Sequence, residues 1–355
     1  MKKKILSAIL AGMFAFGSFS ISDVNAATRA EIAAINVKRP ADFNYWERNS
    51  VAKEKLVAYV KDVTNKNSKN FIPVEDRIAV FDMDGTILYE NSPASMDWLF
   101  PIYTVFENPT KNVTPELRQR TQIWLDAIKH KNITDEITAD RRKIVVELFD
   151  GLTEEEYIPR IKNFMEQNID SFTNLKYGEA FYLPMVEIIS YLNANDFTVY
   201  IVTGSERILT RTLLGDAVKV QPNHVIGGGI PYKWESSHNE KYYVKGDKIF
   251  FGGDKRTHNT NINKIYSIKR EIGKQPVLAF GNSMGDADML NYTLADNKYK
   301  SAAFVVICDD FNREFGNQKL ADTMLSAAQK NNWATISMKN DFKTIYGNSV
   351  KLSGN

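Results

Sequence analysis

The sequence predicts an α/β protein, with a doubly wound parallel sheet as its core and a helical segment inserted into it. Three observations predict this. Short apolar, β-branched runs at 77–81, 198–202, 277–280 and 302–307 read as buried strands, and helical stretches separate them. Strands that are apolar throughout belong to parallel sheets covered by helices on both faces. Three of the runs also end in short polar, glycine-containing turns, at the strand ends where such sheets bind ligands.

The chain has 355 residues, enough for two domains or for one core with a large insertion, and its 43% hydrophobic and 25% charged content is that of an ordinary globular protein. Lys2, Lys3 and Lys4 precede an apolar run at 5–19, and Val24-Asn25-Ala26 supplies small residues at the end. This is the layout of a secretory signal peptide over 1–26, cut after Ala26, and it predicts a periplasmic or secreted protein. The apolar run falls short of the roughly 20 residues a membrane span needs, so no stable span is expected after cleavage. Without residues 1–26 the chain keeps 42 basic and 42 acidic residues. Such a balance gives no electrostatic footprint for nucleic acid or a membrane surface. Cys308 is the one cysteine, so no internal disulfide is expected and the core must hold the protein together unaided.

Residues 27–70 read as an N-terminal lead-in with a helix at 50–63, whose Val51, Leu56, Val57 and Val60 share a side. The core is expected over 71–90 and 176–355, interrupted by a helical insertion at 91–175. Within the insertion, Thr114-Pro115 pairs an N-cap with proline at the first helical position. Thr153 and Glu156 fit a capping box, with Pro159 expected to delay or kink the helix that follows. Further helices are expected at 184–195 and 263–272, hairpins and loops at 210–260, and a fifth strand at 335–338.

Chemistry concentrates in the turns. Asp82 and Asp84 flank a single residue at the end of the first strand. If the turn begins at Met83, the two carboxylates diverge around one ligand. Gly85 permits a sharp bend, and Thr86 can cap a helix or contact phosphate. Asp-x-Asp-Gly also occurs in calcium loops and plain turns; the strand immediately before it narrows the reading.

Four motifs in order, Val80-Phe81-Asp82-Met83-Asp84-Gly85-Thr86, Tyr200-Ile201-Val202-Thr203-Gly204-Ser205, Asn263-Lys264 and Phe280-Gly281-Asn282-Ser283-Met284-Gly285-Asp286, resemble those of the haloacid dehalogenase-like superfamily of aspartyl-phosphate phosphatases. The nearest likeness is to its exported, phosphoserine-phosphatase-like members, and it covers residues 72–90 and 177–345. The resemblance implies a Rossmann-like core whose helical insertion is a cap that closes over the site. It implies Asp82 as nucleophile and Asp84 as general acid and then base. Thr203, the Gly204 amide and Lys264 would hold the phosphate. Asp82, the carbonyl of Asp84, Asn282 and Asp286 would hold Mg²⁺. Many relatives carry Asp where Asn282 stands; Asn keeps a carbonyl oxygen but loses a charge. Asp286 is then the expected acidic ligand, Asn282 a direct or outer one, and Asp288 a weaker candidate.

The implied function is Mg²⁺-dependent hydrolysis of a small exported or extracellular phosphomonoester. Alternatives are a phosphotransferase on the same site, a dehalogenase, or a catalytically decayed protein that only binds a phosphate ligand. Plainer roles compete at each position: a helix cap for Thr203, a solvated lysine for Lys264, an Asx turn for Asn282, an N-cap for Asp286. Tyr89, Trp98, Phe100, Tyr103, Phe106 and Trp124 read as helix packing, with an aromatic cage for a quaternary ammonium such as phosphocholine as the sharper reading. His130, His224, His238 and His258 show no metal-ligand spacing and read as surface residues, with a substrate contact as the alternative for His258, which lies near the polar approach to Lys264. Arg313 and Glu314, after Asp309-Asp310, read as a structural salt bridge, and Cys308 as a small buried residue.

Overall fold

The computed structural model describes residues 26–91, 93–239 and 241–353. The leader predicted at 1–26 lies outside the described residues apart from Ala26. In chain order come α1 (Arg29–Ala34), α2 (Val51–Thr64) and β1 (Ile78–Phe81). Four helices follow: α3 (Met96–Phe106), α4 (Pro115–Lys129), α5 (Asp135–Phe149) and α6 (Glu154–Met165). Then come α7 (Leu183–Ala194), β2 (Thr198–Glu206), α8 (Arg207–Leu214) and β3 (Val225–Gly228). β4 (Tyr232–Glu235) and β5 (Lys248–Phe251) form an antiparallel hairpin. The chain closes with α9 (Ile262–Ser267), β6 (Leu278–Gly281), α10 (Ala287–Leu294), β7 (Ala302–Ile307), α11 (Gln318–Asn331), β8 (Ala334–Ser337) and α12 (Met338–Asp341).

Six strands form one parallel sheet in the order β3-β2-β1-β6-β7-β8. The winding runs one way from β1 through β2 to β3 and the other way through β6 to β8, so it reverses between β1 and β6. In this architecture that reversal opens a crevice at the carboxyl ends of the strands. Every residue of β1 and β6 is buried. Alternate residues serve opposite faces: Ala79 and Phe81 join the larger core with α2, α7 and the inserted helices, while Ile78 and Val80 join the smaller one with α10 and α11. The register pairs Phe81 with Phe280 and Phe280 with Phe304, and the three rings stack at 4.2 and 5.2 Å. The lead-in is part of the core rather than a tether. Trp46 donates to the Pro184 carbonyl at 2.9 Å, and Tyr59 to that of Val277 at 2.8 Å.

Three expectations are corrected. The second strand does not stop at 202: it continues to Glu206, with a register shift against β3 between Val202 and Glu206. Thr203-Gly204-Ser205 is therefore extended chain rather than a turn. Asn259 holds the Thr203 carbonyl at 3.1 Å and Arg256 that of Gly204 at 3.1 Å, contacts that sequence spacing does not show. The stretch 210–260 contains the expected hairpin, but also most of α8 and the edge strand β3, whose Gly-Gly ending conceals a strand. Pro159 does not delay α6, which begins directly after a formed Thr153–Glu156 capping box. Thr114 caps α4 ahead of Pro115 as expected.

Candidate active site

The reversal point brings the predicted residues together. Asp82 follows β1 directly, and its amide donates to the Phe280 carbonyl at 2.9 Å, so sheet register fixes its position. Lys264, buried on α9, donates from Nζ to Asp82 Oδ1 at 2.5 Å, Asp286 Oδ1 at 2.6 Å and the Val202 carbonyl at 2.7 Å. Lys269, on the helical turn that follows α9, instead lies over the Tyr292 ring. Asp82, Asp84, Thr203, Gly204, Lys264, Asn282 and Asp286 all line one cavity of about 150 Å³. Asp288 does not. Gly204 is required by close approach, since a Cβ there would fall 2.7 Å from Thr260 Cγ2. Thr203 caps no helix; its Oγ1 accepts from the Ser205 amide at 3.1 Å, and Glu206 caps α8 instead. A larger groove, about 940 Å³, runs past Pro40, Trp46 and Lys53, and none of these site residues lines it.

The site is crowded with carboxyl groups. Burial, then repulsion from Asp286, pushes Asp82 up to about 7, against the pull of Lys264. Burial, then Asp82, pushes Asp84 up to about 8, while the Ser205 hydroxyl, 2.5 Å from Oδ2, opposes the rise. Glu90 rises to about 8 through burial, then Asp84 and Asp82. Burial works against the charge of Lys264, but Asp286 and Asp82 outweigh it and its pKa rises. One ammonium facing four carboxyl groups leaves a cavity suited to a further cation. Asp84 Oδ1 is buried and has no hydrogen-bond partner among the described residues. No group of three or more His, Cys, Asp or Glu side chains forms a ready cage among the described residues.

Asp286 is hydrogen-bonded through both carboxyl oxygens. Oδ1 receives Lys264, and Oδ2 receives the amides of Asn282 and Ser283, both at 3.0 Å, and the Ser283 hydroxyl at 3.3 Å. It anchors the loop and the lysine, with both oxygens engaged. Asn282 reaches Asp82 through Thr86: its Oδ1 is 3.5 Å from the Thr86 hydroxyl, which is 3.4 Å from Asp82 Oδ2.

The inserted helices contribute the opposite wall. Asp97 on α3, 4% exposed, accepts from Arg141 on α5, from Arg256 at 2.8 and 2.9 Å, and from the Glu206 amide at 2.9 Å. Burial alone would raise its pKa, yet Arg256 and then Arg141 bring it down to about 2. Arg141 lines the cavity and lies 4.2 Å over the Trp98 ring and 5.5 Å from that of Trp124. The cage reading is thereby corrected: the Trp98 face already carries this chain's own cation. Phe100 packs against Phe149, Tyr157 and Phe164, as helix packing requires. His258 lines the cavity, held neutral to about 4 by burial and then the nearby arginines. His224 stacks on Tyr200 at the far end of β2. Arg313 pairs with Asp310 at 2.6 Å, and Glu314 with the Tyr346 hydroxyl, as structural contacts. Cys308 is buried.

Sequence reasoning missed Glu90, Ser205, Asp97, Arg141 and Arg256. Ser205 stood inside a quoted motif, and Glu90 only a few residues after Asp84. Nothing local marked the other three, which meet across more than 40 residues of chain.

The model of haloacid dehalogenase-like hydrolases matches residues 79–291. No curated protein matches the sequence. Among solved structures, a functionally unknown protein from Anaerococcus prevotii aligns over 84% of this chain and 95% of its own, at 14% identity and a TM-score of 0.52. A protein of unknown function from Bordetella pertussis aligns over 73% and 97%, at 15% identity and 0.48. A phosphoserine phosphohydrolase-like protein from Francisella tularensis aligns over 65% and 87%, at 14% identity and 0.36. The first of these shares the fold and shows no more than that.

Asp97→Asn leaves two buried guanidinium groups facing each other without a counter-charge. The expected loss is about 3–5 kcal/mol, read from the urea midpoint. Because the folded pKa is depressed, the wild-type stabilisation is fully present above the ordinary value of about 3.9 and is lost as pH falls toward about 2. The variant's stability should therefore depend less on pH across that window.

Proposed function

The chain belongs to the haloacid dehalogenase-like hydrolases, and on that premise we propose that it is a Mg²⁺-dependent phosphomonoesterase with Asp82 as nucleophile. The carrying observation is the Lys264 ammonium held between Asp82 and Asp286 at the floor of a cavity that Thr203, Gly204 and Asp84 also line. In this reading Thr203, the Gly204 amide and Lys264 hold the phosphoryl oxygens. An Asp82 oxygen attacks phosphorus and the ester P–O bond breaks. Asp84, protonated at neutral pH, gives its proton to the leaving alkoxide. Asp84 then takes a proton from water, which attacks the same phosphorus; the bond to Asp82 breaks and phosphate leaves. Mg²⁺ bound at Asp82, the Asp84 carbonyl and Asn282, with Asp286 fixing the loop behind them, would neutralise charge on the phosphoryl oxygens.

The raised pKa of Asp84 favours this over dehalogenation, because a departing halide needs no proton. A phosphotransferase would use the same residues, and product analysis with added acceptor alcohols separates it. The leader read at 1–26 supports action in the periplasm or outside the cell.

The wall opposite the nucleophile bears on substrate class. Arg141 Nε is buried without a partner among the described residues, and two arginines there face one aspartate. This favours a leaving group with an anionic or strongly accepting end over a quaternary ammonium.

Asp82→Asn should abolish Mg²⁺-dependent hydrolysis of p-nitrophenyl phosphate by at least about three orders of magnitude. Retained turnover would remove the mechanism, and no wild-type hydrolysis of any phosphomonoester would favour a binding protein. Asp84 must carry its proton to act as acid, so kcat/KM should fall as pH rises through about 8. Ser205 favours the ionised form; Ser205→Ala should therefore move that limb to higher pH. Carboxylated phosphomonoesters should be turned over faster than phosphocholine. Arg141→Gln should reduce kcat/KM about 10–100-fold for the carboxylated substrates and little for a neutral alkyl phosphate.

A further inference from the structure

Position 282 carries an amide, and an amide can present either end to a cation site. Only the carbonyl oxygen can coordinate, so something must fix which end faces inward. Asn282 Nδ2 donates to Glu90 Oε2 at 2.7 Å, and among the described residues this is the one hydrogen bond Glu90 makes. With the NH₂ end held there, Oδ1 lies on the side of Thr86 and Asp82. The pair sits directly above Gly85, whose φ of +72° suits glycine. A Cβ at Gly85 would fall 1.9 Å from Asn282 Nδ2 and 2.4 Å from Glu90 Oε2. The backbone leading to Glu90 is pinned as well: Gly85 N donates to the Leu88 carbonyl at 2.7 Å, and Tyr89 N to that of Ala180 at 3.1 Å. Glycine at 85, asparagine at 282 and glutamate at 90 thus form one interlocked unit.

We propose that Glu90 is a positioning residue for the cation site, holding the Asn282 amide so that its carbonyl oxygen, and not its NH₂, faces Asp82. The proposal rests on the reading of this cavity as a divalent-cation site. Glu90 lines the same cavity, and in this proposal it works through Asn282 as a hydrogen-bond acceptor rather than by touching the cation.

The test is Mn²⁺ binding to the purified protein, read by electron paramagnetic resonance in the absence of substrate. Glu90→Ala should weaken Mn²⁺ binding about 10–100-fold, the usual cost of losing an outer partner of a metal ligand. Glu90→Gln, which keeps an acceptor oxygen, should stay within about threefold of wild type by the same reasoning. Adding Glu90→Ala to Asn282→Ala should cost nothing further, because Glu90 works through Asn282. Should Glu90→Ala fail to fold in a thermal melt, Glu90→Met keeps the volume without the acceptor and is expected to show the same loss. Unchanged affinity in the Ala or Met variant, equal damage from Gln, or additive losses in the double variant would each overturn the proposal. Wild-type protein that binds no Mn²⁺ would overturn the cation reading and this inference together.

Discussion

The site depends on one buried ammonium. Lys264 ties the residue after β1, the Val202 carbonyl within β2 and the loop after β6 to a single nitrogen. A lone charge at that depth would be costly, and so would the carboxylates around it. Each is retained because the other is present. Lys264 cannot be exchanged for a neutral residue without leaving Asp82 and Asp286 to repel each other in a desolvated space. The arrangement gathers Asp82 and the loop anchor Asp286 on one nitrogen, and it leaves carboxyl groups in excess of ammonium in the cavity.

A second buried charge cluster mirrors the first. In the floor, one cation serves two anions; in the wall, two cations serve Asp97. The cavity therefore has polarity across it: acidic around Asp82, Asp84 and Asp286, basic at Arg141. Arg256 joins the two halves, since it binds Asp97 with one nitrogen and the Gly204 carbonyl with another. The last residues of β2 are thus tied to the inserted helices as well as to the sheet.

Much of this was legible in the chain. The strands of the sheet centre announce themselves because burial on both faces demands unbroken apolar runs, as in Ile78–Phe81 and Ala302–Ile307. The residues after them are legible because few side chains do such chemistry, and Asp82, Thr203, Lys264 and Asn282 do share one cavity. What failed to show was set by distant partners. β3 is short and glycine-ended, and only its pairing with β2 makes it a strand. Asp97, Arg141 and Arg256 look like surface charges until folding buries them together. The aromatic residues of the insertion were read for what their faces could bind, but Trp98 is occupied by an arginine one helix away.

The docking of α3 has a kinetic side. The cavity beside α3 is small, about 150 Å³, and only partly enclosed. Lifting α3 away for anything larger means hydrating Asp97 and Arg256 at once and giving up the Glu206 amide. An element latched by charge taken out of water comes away slowly, so α3, its two arginines and the end of β2 keep one fixed setting.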